Sequence, residues 1–140
     1  MRNTVFGIAL LLLLLGCNGD DDSTNIDCSA SACTNIFISH TVTVTDPSGV
    51  AIPLDAFSVT DLDTGEDLTR TLTEEELEQA RQAGRYPLYD DLTDRDNFPI
   101  SRSIVFKGFI DEKEVIRAEY SAGTDCCHSS VSGNLNLIVE

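Results

Sequence analysis

"IFISHTVTVT", residues 36–45, changes character at every step. Ile36, Ile38, His40, Val42 and Val44 fall on one face, while Ser39, Thr41, Thr43 and Thr45 share the other. Successive side chains of an extended chain point to opposite sides, so a period of two in a β-branched run predicts a half-buried strand. His40, on the apolar face, reads as a core or rim histidine, because the sequence shows no partners that would make it a ligand. Asp46-Pro47-Ser48-Gly49 then supplies turn chemistry, with Pro fixing φ and Gly free to take positive φ.

The same alternation recurs downstream. A second strand is predicted through Ala56–Asp61, and "DLDTGED" (61–67) turns it into a short strand near Leu68, as a hairpin. "RYPLYD" (85–90) reads as a strand placed at a sheet edge by Pro87, which lacks an N–H for the ladder. "SIVFKGFI" (103–110) and "EVIRAEYS" (114–121) flank Asp111-Glu112-Lys113 as a hairpin, and "DLTDRDNFPIS" (91–101) reads as an irregular loop. "VSGNLNLIVE" (131–140) is read as one last strand with Leu135, Leu137 and Val139 on one face. One segment breaks the pattern: "TEEELEQARQAG" (73–84) begins with Thr73 and Glu76 as a capping box and closes on Gly84. Only Leu77, Ala80 and Ala83 are available to pack, which makes it an inserted surface helix. The fold class is mainly β, an antiparallel β-sandwich of six to seven strands with one short helix.

Residues 1–17, "MRNTVFGIALLLLLLGC", carry Arg2 ahead of an apolar run from Val5 to Leu15. The layout is that of a signal peptide over residues 1–16, since a spanning helix needs about 20 apolar residues. Leu14-Leu15-Gly16-Cys17 resembles the bacterial lipobox, which implies a lipidated Cys17 and membrane attachment through buried methylene groups. Residues 17–27 read as an acidic tether with nothing to bury. Asp20, Asp21 and Asp22 in it resemble the surface-export signal of Bacteroidota lipoproteins, which implies display at the cell surface, or otherwise attachment facing the periplasm. The remainder, 28–140, reads as a single domain.

The whole chain has 9 basic and 24 acidic residues, a net charge of −15, which removal of Arg2 takes to −16. Phosphate backbones demand clustered Lys and Arg, so this balance excludes nucleic acid as the partner. Setting Cys17 aside, the five cysteines leave Cys28, Cys33, Cys126 and Cys127. An even number in an exported chain reads as two disulfides. A bond between neighbours Cys126 and Cys127 needs a strained ring, which disfavours that pairing. Both remaining pairings tie 28–33 to 126–127, and the sequence leaves the choice between them open.

"ISHTVTVTDPSGVAIPLDAFSVTDLDTGEDL" (38–68) resembles the opening of carboxypeptidase regulatory-like, or transthyretin-like, domains. There a strand, a "D-x-x-G-x-x-[IL]" turn and an "A-x-[VF]-x-[VT]" strand begin a seven-stranded sandwich of transthyretin-like or Ig-like form. With the lipobox and the terminal "CCH…SG…IV", the chain also resembles small Bacteroidota lipoproteins. The resemblance implies an accessory or binding module without catalytic residues. The hydrolase of that fold acting on 5-hydroxyisourate relies on paired histidines and a C-terminal Tyr-Arg-Gly-Ser; this chain has only His40 and His128 and ends in Val139-Glu140.

His128 beside two cysteines suggests zinc or a Cys–His nucleophile, but the spacing lacks C-x-x-C repeats and the thiols are expected to be oxidised. The reading is therefore no metal and no catalytic residue, with His128 given a surface role. The alternative cofactor is calcium, whose hard oxygen ligands would come from Asp90, Asp91, Asp94 and Asp96. Tyr86, Tyr89, Phe98 and Tyr120 are read as core or edge packing. The function expected is a non-enzymatic binding or structural module of the cell envelope, partnered by the membrane through lipid and by an envelope protein, peptide or glycan. The alternative is an envelope hydrolase or hydrolase inhibitor using the acidic loop 90–101.

Overall fold

A computed structural model describes residues 28–95 and 100–140. The expected signal peptide, Cys17 with its expected lipid and the whole of the expected tether lie outside these residues, as do Asp96 and Phe98. Among the described residues seven strands form two sheets: β1 (Ser39–Thr45), β2 (Ala56–Asp61), β3 (Arg85–Asp90), β4 (Ile100–Ile110), β5 (Lys113–Thr124), β6 (Ser129–Ser132) and β7 (Asn136–Ile138). One sheet runs β3-β1-β7 and the other β2-β4-β5-β6. The architecture is the β-sandwich that the alternation implies.

The core lies where the apolar faces meet. Val42 and Val44 of β1, Tyr86 and Leu88 of β3 and Leu137 of β7 pack with Val59, Ile104, Phe106, Tyr120 and Ala122 of the other sheet. Tyr86 is central to it. Its ring sits 5.8 Å from Phe57 and 6.4 Å from Phe106. Its hydroxyl donates to Ile52 O at 2.8 Å and accepts from Leu54 N–H at 2.7 Å. A buried phenol needs such partners, and here they pin the β1–β2 connection onto the core.

Helix α1 (Glu74–Ala83) carries the reciprocal Thr73–Glu76 capping box and turns into β3 through Gly84. Gly84 has φ +61°, and a Cβ there would lie 2.6 Å from Val44 O. Its own carbonyl accepts Val44 N–H at 2.7 Å, so the helix ends pressed against β1. Arg81 secures the same corner by donating to Leu54 O and Asp55 O. The β4–β5 hairpin turns through Asp111 and Glu112, both at positive φ, the backbone that matches strand twist in a two-residue loop. Pro87 lies in edge strand β3, where a register shift opposite His40 and Thr41 leaves both Leu88 and Tyr89 buried. The short strand near Leu68 reduces to one bridge between Thr60 and Asp67.

Three expectations need correction. The first strand starts at Ser39, not Ile36: Ile36 is 62% and Phe37 53% exposed. Residues ahead of Ser39 are drawn off by covalent bonds described below, so a pattern that suits a strand meets no partner strand. The last segment is two strands, with β6 beside β5 and β7 beside β1. Gly133 and Asn134 divide it: a Cβ on Gly133 would meet the Tyr120 ring at 2.5 Å, and Asn134 O accepts the Tyr120 hydroxyl at 2.7 Å. Finally, β7 runs parallel to β1, so the sandwich is antiparallel except at this one pair.

Gly65 shares the left-handed backbone of Gly84, with φ +75°, but faces open space. Gly65→Ala is expected to cost about 1–2 kcal/mol from backbone strain alone. Gly84→Ala adds the clash with β1 and is expected to cost roughly twice that or more. Denaturant melts of the two variants check this, and equal losses would refute the packing role.

Candidate functional site

The densest convergence of chemically capable side chains surrounds the cysteines. Cys28 bonds Cys126 and Cys33 bonds Cys127, with 5.2 Å between Cα atoms in each pair. This resolves the pairing left open by the sequence. Cys126 and Cys127 occupy the β5–β6 turn, where Asp125 Oδ1 accepts the Cys127 and His128 N–H groups at 2.7 and 2.8 Å. A carboxylate receiving donors two and three residues onward is a local turn former.

His128 follows immediately and has partners on both ring nitrogens. Nδ1 lies 3.1 Å from Asp91 Oδ2, and Nε2 lies 2.9 Å from Thr34 Oγ1. The side chains of His128 and Asp91 are 25% and 13% exposed, whereas Thr34 is an exposed residue. Asp91 also accepts Ile38 N–H at 2.8 Å, Ser129 N–H at 2.6 Å and the Ser129 hydroxyl at 2.8 Å. Burial works to raise the Asp91 carboxyl, but these donors together with His128 outweigh it and hold the group well below the usual carboxylate range. An ionised carboxylate only accepts, so Nδ1 carries the proton and Nε2 is the acceptor from Thr34 O–H when the ring is neutral. A carboxylate, an imidazole and a hydroxyl thus stand in series. His40 is nearby in the fold, with Nε2 3.2 Å from Ser129 O, and takes the rim position expected of it.

A second cluster is ionic. Arg102, with 10% of its side chain exposed, donates to Asp61 Oδ2 at 2.7 Å, Glu66 Oε2 at 2.8 Å, and both oxygens of Asp94 at 2.6 and 2.8 Å. The Tyr89 hydroxyl donates to the same Asp94. Arg102 and the Thr64 N–H lower Asp61 to about 2, while burial and then Asp94 push the Tyr89 phenol up. The acidic stretches 61–67 and 90–95 are therefore drawn together around one cation. Beside them Glu66, Asp67, Arg70, Asp90 and Leu92 rim a shallow depression of about 390 Å³. Others lie between α1 and the β1–β3 face, about 340 Å³, and over β5 and β6, about 320 Å³.

Of the candidate calcium ligands, the three among the described residues are not gathered. Asp90 holds the N–H groups of Leu92 and Thr93 and faces Arg70 at 3.6 Å, Asp91 serves His128, and Asp94 serves Arg102. Among the described residues no three His, Cys, Asp or Glu side chains form a group able to hold a metal. Tyr86, Tyr89 and Tyr120 are 0%, 2% and 4% exposed, as core residues. The role of His128 exceeds a surface one: it joins chain segments 94 and 37 residues away. No local pattern in the sequence carries that signal. Comparison with known proteins adds no family: no family model, curated protein or solved structure matches this chain.

Removing Arg102 strands two carboxylates that are 3% and 2% exposed, whereas Arg117 pairs with Glu114 in the open. Arg102→Met is expected to lower Tm by roughly 10 °C or more, and Arg117→Met by no more than about 2 °C. A calorimetric melt of each checks it. The depressed carboxyls also set an acid limit. Stability that Asp61 and Asp91 contribute is complete above the unfolded carboxylate pKa, near 4. It is lost as pH falls toward 2. Tm measured across that window is expected to fall steeply, and Asp91→Asn to flatten part of the slope.

Proposed function

We propose that this chain is an outer-membrane or cell-surface lipoprotein, held by lipid on Cys17, whose sandwich serves as a non-enzymatic binding or structural module of the cell envelope. One observation carries the reading: both disulfides lie where the chain enters the domain. A pull applied ahead of Cys28 reaches the β5–β6 turn through two covalent bonds before it can peel β1 from its neighbours. That arrangement suits a domain held by its N-terminus. The acidic surface adds repulsion from anionic headgroups and so favours standing clear of the membrane. The transthyretin-like resemblance of residues 38–68 belongs to the same proposal, and the two-sheet, seven-strand architecture supports it.

The hydrolase or inhibitor reading of loop 90–101 receives less support. Asp90, Asp91 and Asp94 each serve internal partners, and the nearby depression is shallow and open.

Cys17→Ala is expected to abolish labelling by a palmitate analogue and to move the protein from the membrane pellet to the soluble fraction. Retention in the pellet would overturn the anchor. The mature protein, immobilised by its N-terminus, is expected to retain a discrete envelope component that heat-denatured protein does not; equal retention by both would overturn the binding role.

A further inference from the structure

We propose that Thr34 is an acyl-acceptor site, a surface hydroxyl that His128 activates as general base toward activated carboxylic esters. This goes beyond the anchored-module reading and does not rest on it. The geometry is that of an acid–base–nucleophile series recognised by roles and distances rather than by order in the chain. Thr34 Oγ1 lies 2.9 Å from His128 Nε2, and Nδ1 lies 3.1 Å from Asp91. Asp91 is the positioning residue, fixing the tautomer that leaves Nε2 free to accept a proton.

Each member is held from more than one side. Thr34 follows Cys33, which is bonded to Cys127, and Cys127 precedes His128, so one disulfide ties nucleophile and base together. The His128 backbone is held by Asp125 and the ring by Asp91. A carboxylate with three further donors cannot rotate away without losing them. Other exposed threonines show a different pattern: the Thr64 hydroxyl, for example, accepts the Glu66 N–H of its own turn and bonds the Asp61 carboxylate, with no imidazole beside it. Thr34 stands at the open surface and lines none of the three depressions, so the donor approaches from solution and one acyl group is taken per chain.

The step balances without a further reactant. As Thr34 Oγ1 attacks the ester carbonyl carbon, its proton passes to His128 Nε2 and the Oγ1–C bond forms. Collapse of the tetrahedral adduct breaks the bond to the donor's alkoxide, which leaves as the alcohol with the proton from Nε2. Thr34 is left as an ester and His128 returns to the neutral ring.

The test treats the oxidised mature protein with p-nitrophenyl acetate and follows p-nitrophenolate release and the mass of the peptide that carries Thr34. The expected result is a burst of about one equivalent with acetate on Thr34, a rate increase of the order expected of a general base. His128→Gln is expected to slow labelling by about 100-fold. Whatever pH dependence labelling shows in the native protein should vanish in His128→Gln. Thr34→Ala, at an exposed position, keeps the fold and loses the burst, while Thr34→Ser restores it. The proposal is overturned if Thr34 is labelled no faster than Thr64, or if its labelling is indifferent to His128→Gln. Continued release beyond one equivalent that needs both Thr34 and His128 would uphold the nucleophile and overturn instead the non-enzymatic reading above.

Discussion

Two covalent bonds joining the same pair of segments set the conditions for the rest of the fold. Cys28–Cys126 closes a loop of 98 residues and Cys33–Cys127 one of 94. In the chain-entropy picture the first closure stabilises by about 5 kcal/mol, mostly by restricting the unfolded chain. The second is not worth the same again. Once the first is made it closes only a small ring across 28–33 and 126–127, worth about 2 kcal/mol. Its larger effect is local, because two bonds prevent the rotation about each other that one bond allows. The segment leading into β1 of one sheet is thereby held at a fixed angle to the β5–β6 turn of the other. Asp91 and His128 can assemble there because the backbone that carries their partners is already immobile.

The two ends of the sandwich are closed by different physics. At the disulfide end, covalent bonds and a carboxylate with several donors do the work, and little apolar surface is available: Ile36 and Phe37 remain exposed. At the other end the Tyr86 hydroxyl, Arg81 and Gly84 bring the β1–β2 connection, α1 and β3 together over the aromatic cluster. Toward the disulfide end of β4, Arg102 holds three carboxylates from two acidic loops. In a chain of net charge −15, unpaired carboxylates so close together would repel, and a single guanidinium fork turns that repulsion into attachment. A buried ion pair is weak evidence for net stability, since desolvation offsets much of the attraction. Its clearer consequence is register: β4 cannot slide past β2 without separating Arg102 from Asp61.

Much of the secondary structure was legible locally. The Thr73–Glu76 box, the Gly84 cap, the hairpin at Asp111 and Glu112 and the edge placement of Pro87 each follow from one or a few neighbouring residues. So did the disulfide framework, because neighbouring cysteines exclude one pairing on local geometry. Misreadings fell where a local pattern depends on a distant partner. "IFIS" alternates like the rest of β1, yet Ile36 and Phe37 have no strand beside them. Residues 131–140 read as one strand until Tyr120 is placed beneath Gly133, a contact that the sequence separates by 13 positions.

The chemistry was harder to read than the fold for the same reason. A strand or a capped helix is encoded over a few residues through dihedral preference and periodicity, so the sequence by itself determined the sandwich class, the helix and the pairing of the two cysteine segments. Which cysteine meets which, the reversal of β7 alongside β1, and the meeting of Thr34, Asp91 and His128 depend on three-dimensional closure. Hydrogen-bond partners of that kind are short-ranged in space and have no fixed spacing along the chain. Only the folded backbone, drawn shut by two disulfides, brings them within 3 Å or so of one another.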